Sequence, residues 1–270
     1  MREWMAVFVL LFSGAVAAQK PEFHAVPTDR PDVTMNIVFM DPQRPVEKAL
    51  LVVPGSDGSE GRVMIKSFMA PSLGKLQYLH EYEHLFKEAG IALVAMGCPT
   101  DQWASFGQCA DDYRSSPTHV SDVSKVMAFL RAQYGVQYFY IFGHSSGGIS
   151  SRCLSLNMPE QLKGAINSSA MNGTAGSLAR SMLHFDMKAI KIPVLNIAHE
   201  KDTCPSTPYF IVKRYSSDNL VTVRGGGQTG PVCGGRNYHS FEGRQKGVSK
   251  AIIQWIQTGE VQQYIDEDDQ

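Results

Sequence analysis

Five short, mostly apolar runs constrain this chain more than any other feature: ALLVV at 49–53, IALVAM at 91–96, YFYIF at 138–142, VLNI at 194–197 and LVTV at 220–223. Runs of that length without polar alternation suit strands buried on both faces, as in a parallel sheet covered by helices. Between them the period changes. Leu76, Leu79, Tyr82, Leu85, Phe86 and Ala89 fall on one face of a helix, as do Val123, Val126, Met127, Leu130 and Tyr134, with Ser121 as the expected N-cap. Residues 248–256 predict a last helix, and the loose alternation over 23–40 predicts edge strands. Strand and helix alternate throughout, which implies an α/β fold with a mostly parallel central sheet and helices on both faces. Ligands of such sheets bind at the carboxyl ends of the strands.

The 270 residues are 43% hydrophobic, enough for one large core without staples. A formal net charge of -1, with no basic run, argues against a nucleic-acid partner. Residues 1–18 read as a secretory signal peptide. Met1 and Arg2 supply a positive start, MAVFVLLF at 5–12 is too short to span a bilayer, and Ala15-Val16-Ala17-Ala18 forms a small-residue cleavage site. The expected mature chain is then a single domain over 19–270, secreted or periplasmic, with no stable membrane insertion and a solvated acidic tail at about 260–270. In an oxidising compartment the five cysteines can pair, with one left over. Cys98 and Cys109 lie close together in a loop-like stretch, Cys204 and Cys233 flank a Gly-rich region, and Cys153 sits in an apolar helical pattern as the expected buried thiol.

The chemistry is concentrated in Gly143-His144-Ser145-Ser146-Gly147, which comes directly after the 138–142 run and precedes a helix-like stretch. A nucleophile held on a tight strand-to-helix turn needs very small residues two before and two after it, and Gly143 and Gly147 occupy those positions. Ser145 is the candidate nucleophile, with the next helix N-terminus favouring a developing anion.

By this turn, and by the order of the acidic and histidine segments C-terminal to it, the chain resembles the α/β-hydrolase family, over about residues 50–256. The resemblance implies an acid after a later strand and a histidine after one more. Asp202, in His199-Glu200-Lys201-Asp202, matches the acid position, with Glu200 as the substitute, and His239, in Tyr238-His239-Ser240, matches the histidine. It also implies an oxyanion hole from two backbone N–H groups. One is that of Ser146. The other comes from Pro54-Gly55-Ser56-Asp57-Gly58, where Pro54 replaces the family's His. By that match Ser56 donates, with Asp57 as the alternative. Secreted esterases and dienelactone-hydrolase-like proteins are the most similar members, although a dienelactone hydrolase carries Cys where this chain has Ser145. Only about twenty-five residues separate Asn167 from the run at 194, too few for a large lid domain, which leaves rim segments at 100–116 and 170–184. The implied activity is serine hydrolysis of a small-molecule carboxylic ester through an acyl-enzyme, with no cofactor and no metal. Peptidase or acyltransferase action, or a non-catalytic binding protein on the same fold, are the alternatives. The expected bridges are Cys98–Cys109 and Cys204–Cys233, the second joining the acid loop to the histidine loop.

Three other signals compete. His80-Glu81-Tyr82-Glu83-His84 fits the H-E-x-x-H zinc pattern, but the helical period turns Leu79, Tyr82 and Phe86 inward and leaves His80, Glu81 and His84 toward solvent. Gly225 to Gly230 contains G-x-G-x-x-G yet opens no helix, so a flexible loop is expected. Asn167 and Asn172 stand in glycosylation sequons, and His144 and His199 are expected to be scaffold residues.

Overall fold

The structure, a computed structural model, describes residues 21–40, 46–55, 77–102, 109–172, 186–216 and 218–266. The segments read as signal peptide, as Ser56 and Asp57, and as the end of the acidic tail lie outside the described residues.

Nine strands form one sheet. In chain order they are β1 (Glu22–Pro27), β2 (Thr34–Met40), β3 (Lys48–Val53), β4 (Ile91–Pro99), β5 (Tyr138–His144), β6 (Leu162–Ser168), β7 (Val194–His199), β8 (Leu220–Val223) and β9 (Tyr264–Ile265). Their spatial order is β1-β2-β4-β3-β5-β6-β7-β8-β9. The first two strands run antiparallel at one edge, and every pairing from β4 onward is parallel. The five apolar runs are β3, β4, β5, β7 and β8. Sequence reading did not name β6, because Lys163 and Gly164 interrupt its apolar run. Nor did it foresee β9, which lies where a solvated tail was expected. Ile265 of β9 is buried, and Asp266 beyond it accepts from Arg224 Nη1 at 3.4 Å.

Alternate strand residues feed two cores, one on each face. Leu50 and Val52 join Leu79, Phe86, Val248, Ile252 and Trp255, which belong to helices α1 (Gln77–Glu81), α2 (Glu83–Glu88) and α7 (Gln245–Thr258). Ala49, Leu51 and Val53 join Val123, Val126, Met127, Leu130 and Leu154 from α4 (Pro117–Tyr134) and α5 (Gly147–Asn157). Two shorter helices are also present among the described residues, α3 (Asp111–Arg114) and α6 (Tyr209–Tyr215). Helix α4 starts earlier than expected. Ser116 is its N-cap, accepting from the His119 amide at 3.2 Å, and Pro117 takes the first helical position, where a missing N–H costs nothing. Ser121 instead lies inside the helix and donates to Asp29 Oδ2 at 2.7 Å.

Candidate active site

Strand β5 delivers Ser145 at its carboxyl end, and α5 begins two residues later. The turn is so tight that Ser145 has φ 54, in the left-handed region that a side chain rarely occupies. Its neighbours show why the flanking residues are glycines. A Cβ on Gly143 would lie 2.3 Å from the Gly147 carbonyl oxygen, and one on Gly147 would lie 2.2 Å from that of Val53. The backbone holds the turn on both sides: the Ser145 amide donates to Ser168 O at 3.0 Å, and Ser145 O accepts from the amides of Gly148 and Met171. Gly55 packs directly beneath, and its missing Cβ would stand 3.1 Å from Ser145 Oγ. The loop after β3 thus begins against the serine. Ser146, the N-cap of α5, is buried.

Asp202 comes after β7, and His239 stands in a 3-10 turn, Tyr238–Ser240, after β8. Both side chains are buried, and His239 Nδ1 lies 2.9 Å from Asp202 Oδ2. An ionised carboxylate only accepts, so in this pairing Nδ1 is the donor and Nε2 is the nitrogen left for another partner. Nε2 is buried with no hydrogen-bond partner among the described residues. The His144 ring, adjacent in sequence to Ser145, is 5.0 Å from the His239 ring, so the imidazole stands beside the serine turn. Ser145 and His239 share no direct hydrogen bond, and such bonds commonly close only around substrate. Asp202 is held in turn: Oδ1 accepts from the Cys204 amide at 2.9 Å, and Oδ2 accepts from Thr207 Oγ1 at 2.8 Å.

No family model matches the chain, and no curated protein matches its sequence. Solved structures do match over most of its length. Est1E from Butyrivibrio proteoclasticus superposes with a TM-score of 0.58 at 14% identity, covering 88% of this chain and 98% of that one. An α/β serine hydrolase without a lid, from Xanthomonas campestris, gives 0.52 at 16%, covering 87% and 92%. A dienelactone hydrolase from Anabaena variabilis gives 0.54 at 18%, covering 88% and 98%. The chain has the α/β-hydrolase fold.

Within the α/β-hydrolase fold the remaining candidates separate by their contacts. Glu200 pairs with Arg224 Nε at 3.3 Å, so it does not reach the histidine. His199 is buried scaffold: its Nδ1 accepts from the Lys201 amide, Nε2 donates to Gly225 O at 2.7 Å, and its ring stacks on Tyr238 at 4.4 Å. Burial pushes its pKa down. His144 Nδ1 lies 3.0 Å from Ser168 Oγ. Asn167 is buried within β6 and donates to Asn196 Oδ1 at 3.2 Å, so that sequon is closed to modification in the folded protein.

The H-E-x-x-H segment does not lie on one continuous helix. Tyr82 breaks it with φ -106 and ψ 19, and His80, expected toward solvent, is half-buried against Glu83 at 3.1 Å. The glycine loop, expected to be flexible, is bonded. Gly227 donates to Glu242 O, and Thr229 and Gly230 donate to Arg236 O. Cβ atoms on Gly226 and Gly230 would collide with carbonyl oxygens at 2.1 and 2.0 Å, so the loop is pressed onto the histidine segment.

Disulfides join Cys98 to Cys109 and Cys204 to Cys233, and Cys153 is a buried free thiol. The second bridge ties the segment after Asp202 to the segment before His239. Sequence reading missed Thr207. The only local signal was a hydroxyl residue between the acid and Pro208, too common a pattern to single out.

Proposed function

We propose that the chain is an exported serine hydrolase that cleaves carboxylic esters of small molecules through an acyl-enzyme. Ser145 attacks the carbonyl carbon while His239 Nε2 takes its proton, and Asp202 holds the imidazole in the Nδ1–H tautomer and stabilises the imidazolium. Backbone N–H groups of Ser146 and of the loop opening at Pro54-Gly55, with Ser56 as donor by resemblance, stabilise the tetrahedral oxyanion. His239 then returns the proton to the leaving alcohol, and water repeats the cycle on the acyl-enzyme.

One observation carries this reading: a buried Asp202–His239 pair whose Nε2 has no partner among the described residues, beside a serine held at positive φ. The ester class is supported by the likeness to a dienelactone hydrolase, since a lactone is a cyclic ester. Export is supported by two disulfides and by the apolar N-terminal sequence. Among the described residues no helix is long and apolar enough to cross a membrane.

The test is a p-nitrophenyl ester series with a fluorophosphonate probe. Wild type should turn over esters and be labelled at Ser145. Ser145→Ala and His239→Ala should each lower kcat by roughly a thousandfold or more while the melting curve persists. A folded Ser145→Ala protein with wild-type kcat/KM would exclude the mechanism. Absence of any turnover or labelling in wild type would favour a binding protein on this fold.

A further inference from the structure

We propose that Thr207 is a positioning residue for the acid–base pair, fixing the proton on His239 Nδ1 by bonding to both partners at once. The inference rests on the proposed serine hydrolase mechanism.

Thr207 is 1% exposed, so its hydroxyl has no bulk water to turn to. Its Oγ1 lies 2.8 Å from Asp202 Oδ2 and 3.2 Å from His239 Nδ1. A hydroxyl has one proton, and an ionised carboxylate offers only lone pairs, so that proton goes to Oδ2. Thr207 Oγ1 then presents a lone pair to the Nδ1–H. That proton is therefore shared between Asp202 Oδ2 at 2.9 Å and Thr207 Oγ1 at 3.2 Å.

The reaction gains in two ways. The ring is held by two acceptors instead of one, which resists rotation about the Nδ1···Oδ2 axis and keeps Nε2 aimed where the serine proton leaves. When His239 takes that proton, the imidazolium meets two oxygens on its far side, so the charge that appears only during reaction is met by a group already in place.

The chain is built to hold this hydroxyl still. Thr207 is β-branched and stiff at χ1. Pro208 comes next and confines its backbone to extended conformations. Its amide donates to Cys204 O at 3.0 Å, and Cys204 is itself bridged to Cys233. Asp202, Cys204 and Thr207 thus form one short braced loop, in which the Cys204 amide serves Oδ1 and the Thr207 hydroxyl serves Oδ2.

The experiment compares Thr207→Val, Thr207→Ser and Thr207→Ala on a short p-nitrophenyl ester, with melting curves and with Ser145→Ala as reference. Valine keeps the shape and removes the hydroxyl. Thr207→Val should lower kcat by roughly ten- to a hundredfold with KM within about twofold, because a hydrogen bond to a charged group is lost chiefly in the transition state. Thr207→Ser should recover kcat to within about threefold of wild type. If the valine variant does not fold, serine against alanine isolates the hydroxyl, since both lack the methyl group, and serine should exceed alanine by roughly tenfold or more. Valine or alanine variants with near wild-type kcat, or a serine variant as poor as alanine, would overturn the proposal. Full activity in Ser145→Ala would instead overturn the mechanism on which it rests.

Discussion

Ser145 and His119 illustrate two kinds of cost that single residues carry in this fold. Ser145 is strained in its backbone, and the strain is tolerated because the turn aims its hydroxyl. His119 is strained in its solvation: it is buried, its ring nitrogens find no partner among the described residues, and burial, with the nearby Arg114 charge, pushes its pKa from 6.5 down to about 3. The unfolded chain binds a proton near 6.5 and the folded chain does not until about 3. Stability is therefore full above the unfolded value and is lost as pH falls through that window, by about 1.4 kcal/mol per pH unit for this group. Urea unfolding of wild type should lose about 2 kcal/mol through this residue between pH 7 and pH 5. His119→Gln should flatten that slope, and an unchanged slope would show that other groups dominate. The places that residues take in the fold were legible where they are tied to a motif. Ser145 is flanked by its glycines, and Asp202 and His239 come after it in the family's order. Thr207 and His119 were not legible, because a hydroxyl or imidazole acquires its role from burial and from partners far away in sequence.

Elements obey packing at their junctions. The β5–α5 turn works only because two backbone approaches, Val53–Pro54 to Gly147 and Gly147 to Gly143, are closer than any side chain permits. Gly147→Ala would drive a Cβ to 2.2 Å from Val53 O and 2.9 Å from Pro54 O, and Gly143→Ala one to 2.3 Å from Gly147 O. These neighbours are backbone and cannot swing away. Each substitution should cost about 3 kcal/mol or more and abolish labelling of Ser145. Gly90 is the control. It has φ +69 with open space around it, so Gly90→Ala should cost only about 1 kcal/mol and leave labelling intact. Calorimetric melting of the three variants checks the ranking. The continuous apolar runs were readable as strands because burial on both faces leaves no other pattern. Helix α4 was readable, but its start was not. Ser121 is as good a cap by type as Ser116, and only Pro117 at the first helical position distinguishes them.

The whole molecule is held together unevenly. Beyond β7 the sheet ends in the short strands β8 and β9, so the convergence of Asp202 and His239 leans on the Cys204–Cys233 bridge, which closes a separation of 29 residues. Chain entropy alone gives such a loop about 3–4 kcal/mol, against about 3 kcal/mol for the 11-residue separation of Cys98–Cys109. The double variant Cys204→Ser/Cys233→Ser should therefore melt lower than wild type and also lose kcat. Cys98→Ser/Cys109→Ser should melt lower with a smaller loss of kcat, because it is the Cys204 amide that bonds Asp202. Equal effects on kcat would mean that the second bridge has no special bearing on the site.

The order of the elements along the chain also sets an order in time. The serine turn sits in the middle of the sheet and its backbone bonds are complete by Met171, while Asp202 and His239 arrive after β7 and after β8. A ribosome therefore finishes Ser145 well before it makes Asp202 and His239. On the proposed mechanism a chain stalled or clipped before His239 is chemically silent. Hydrolysis begins only when the last strands close onto the edge of the sheet, so a cell that exports the chain before it folds never meets the active form inside.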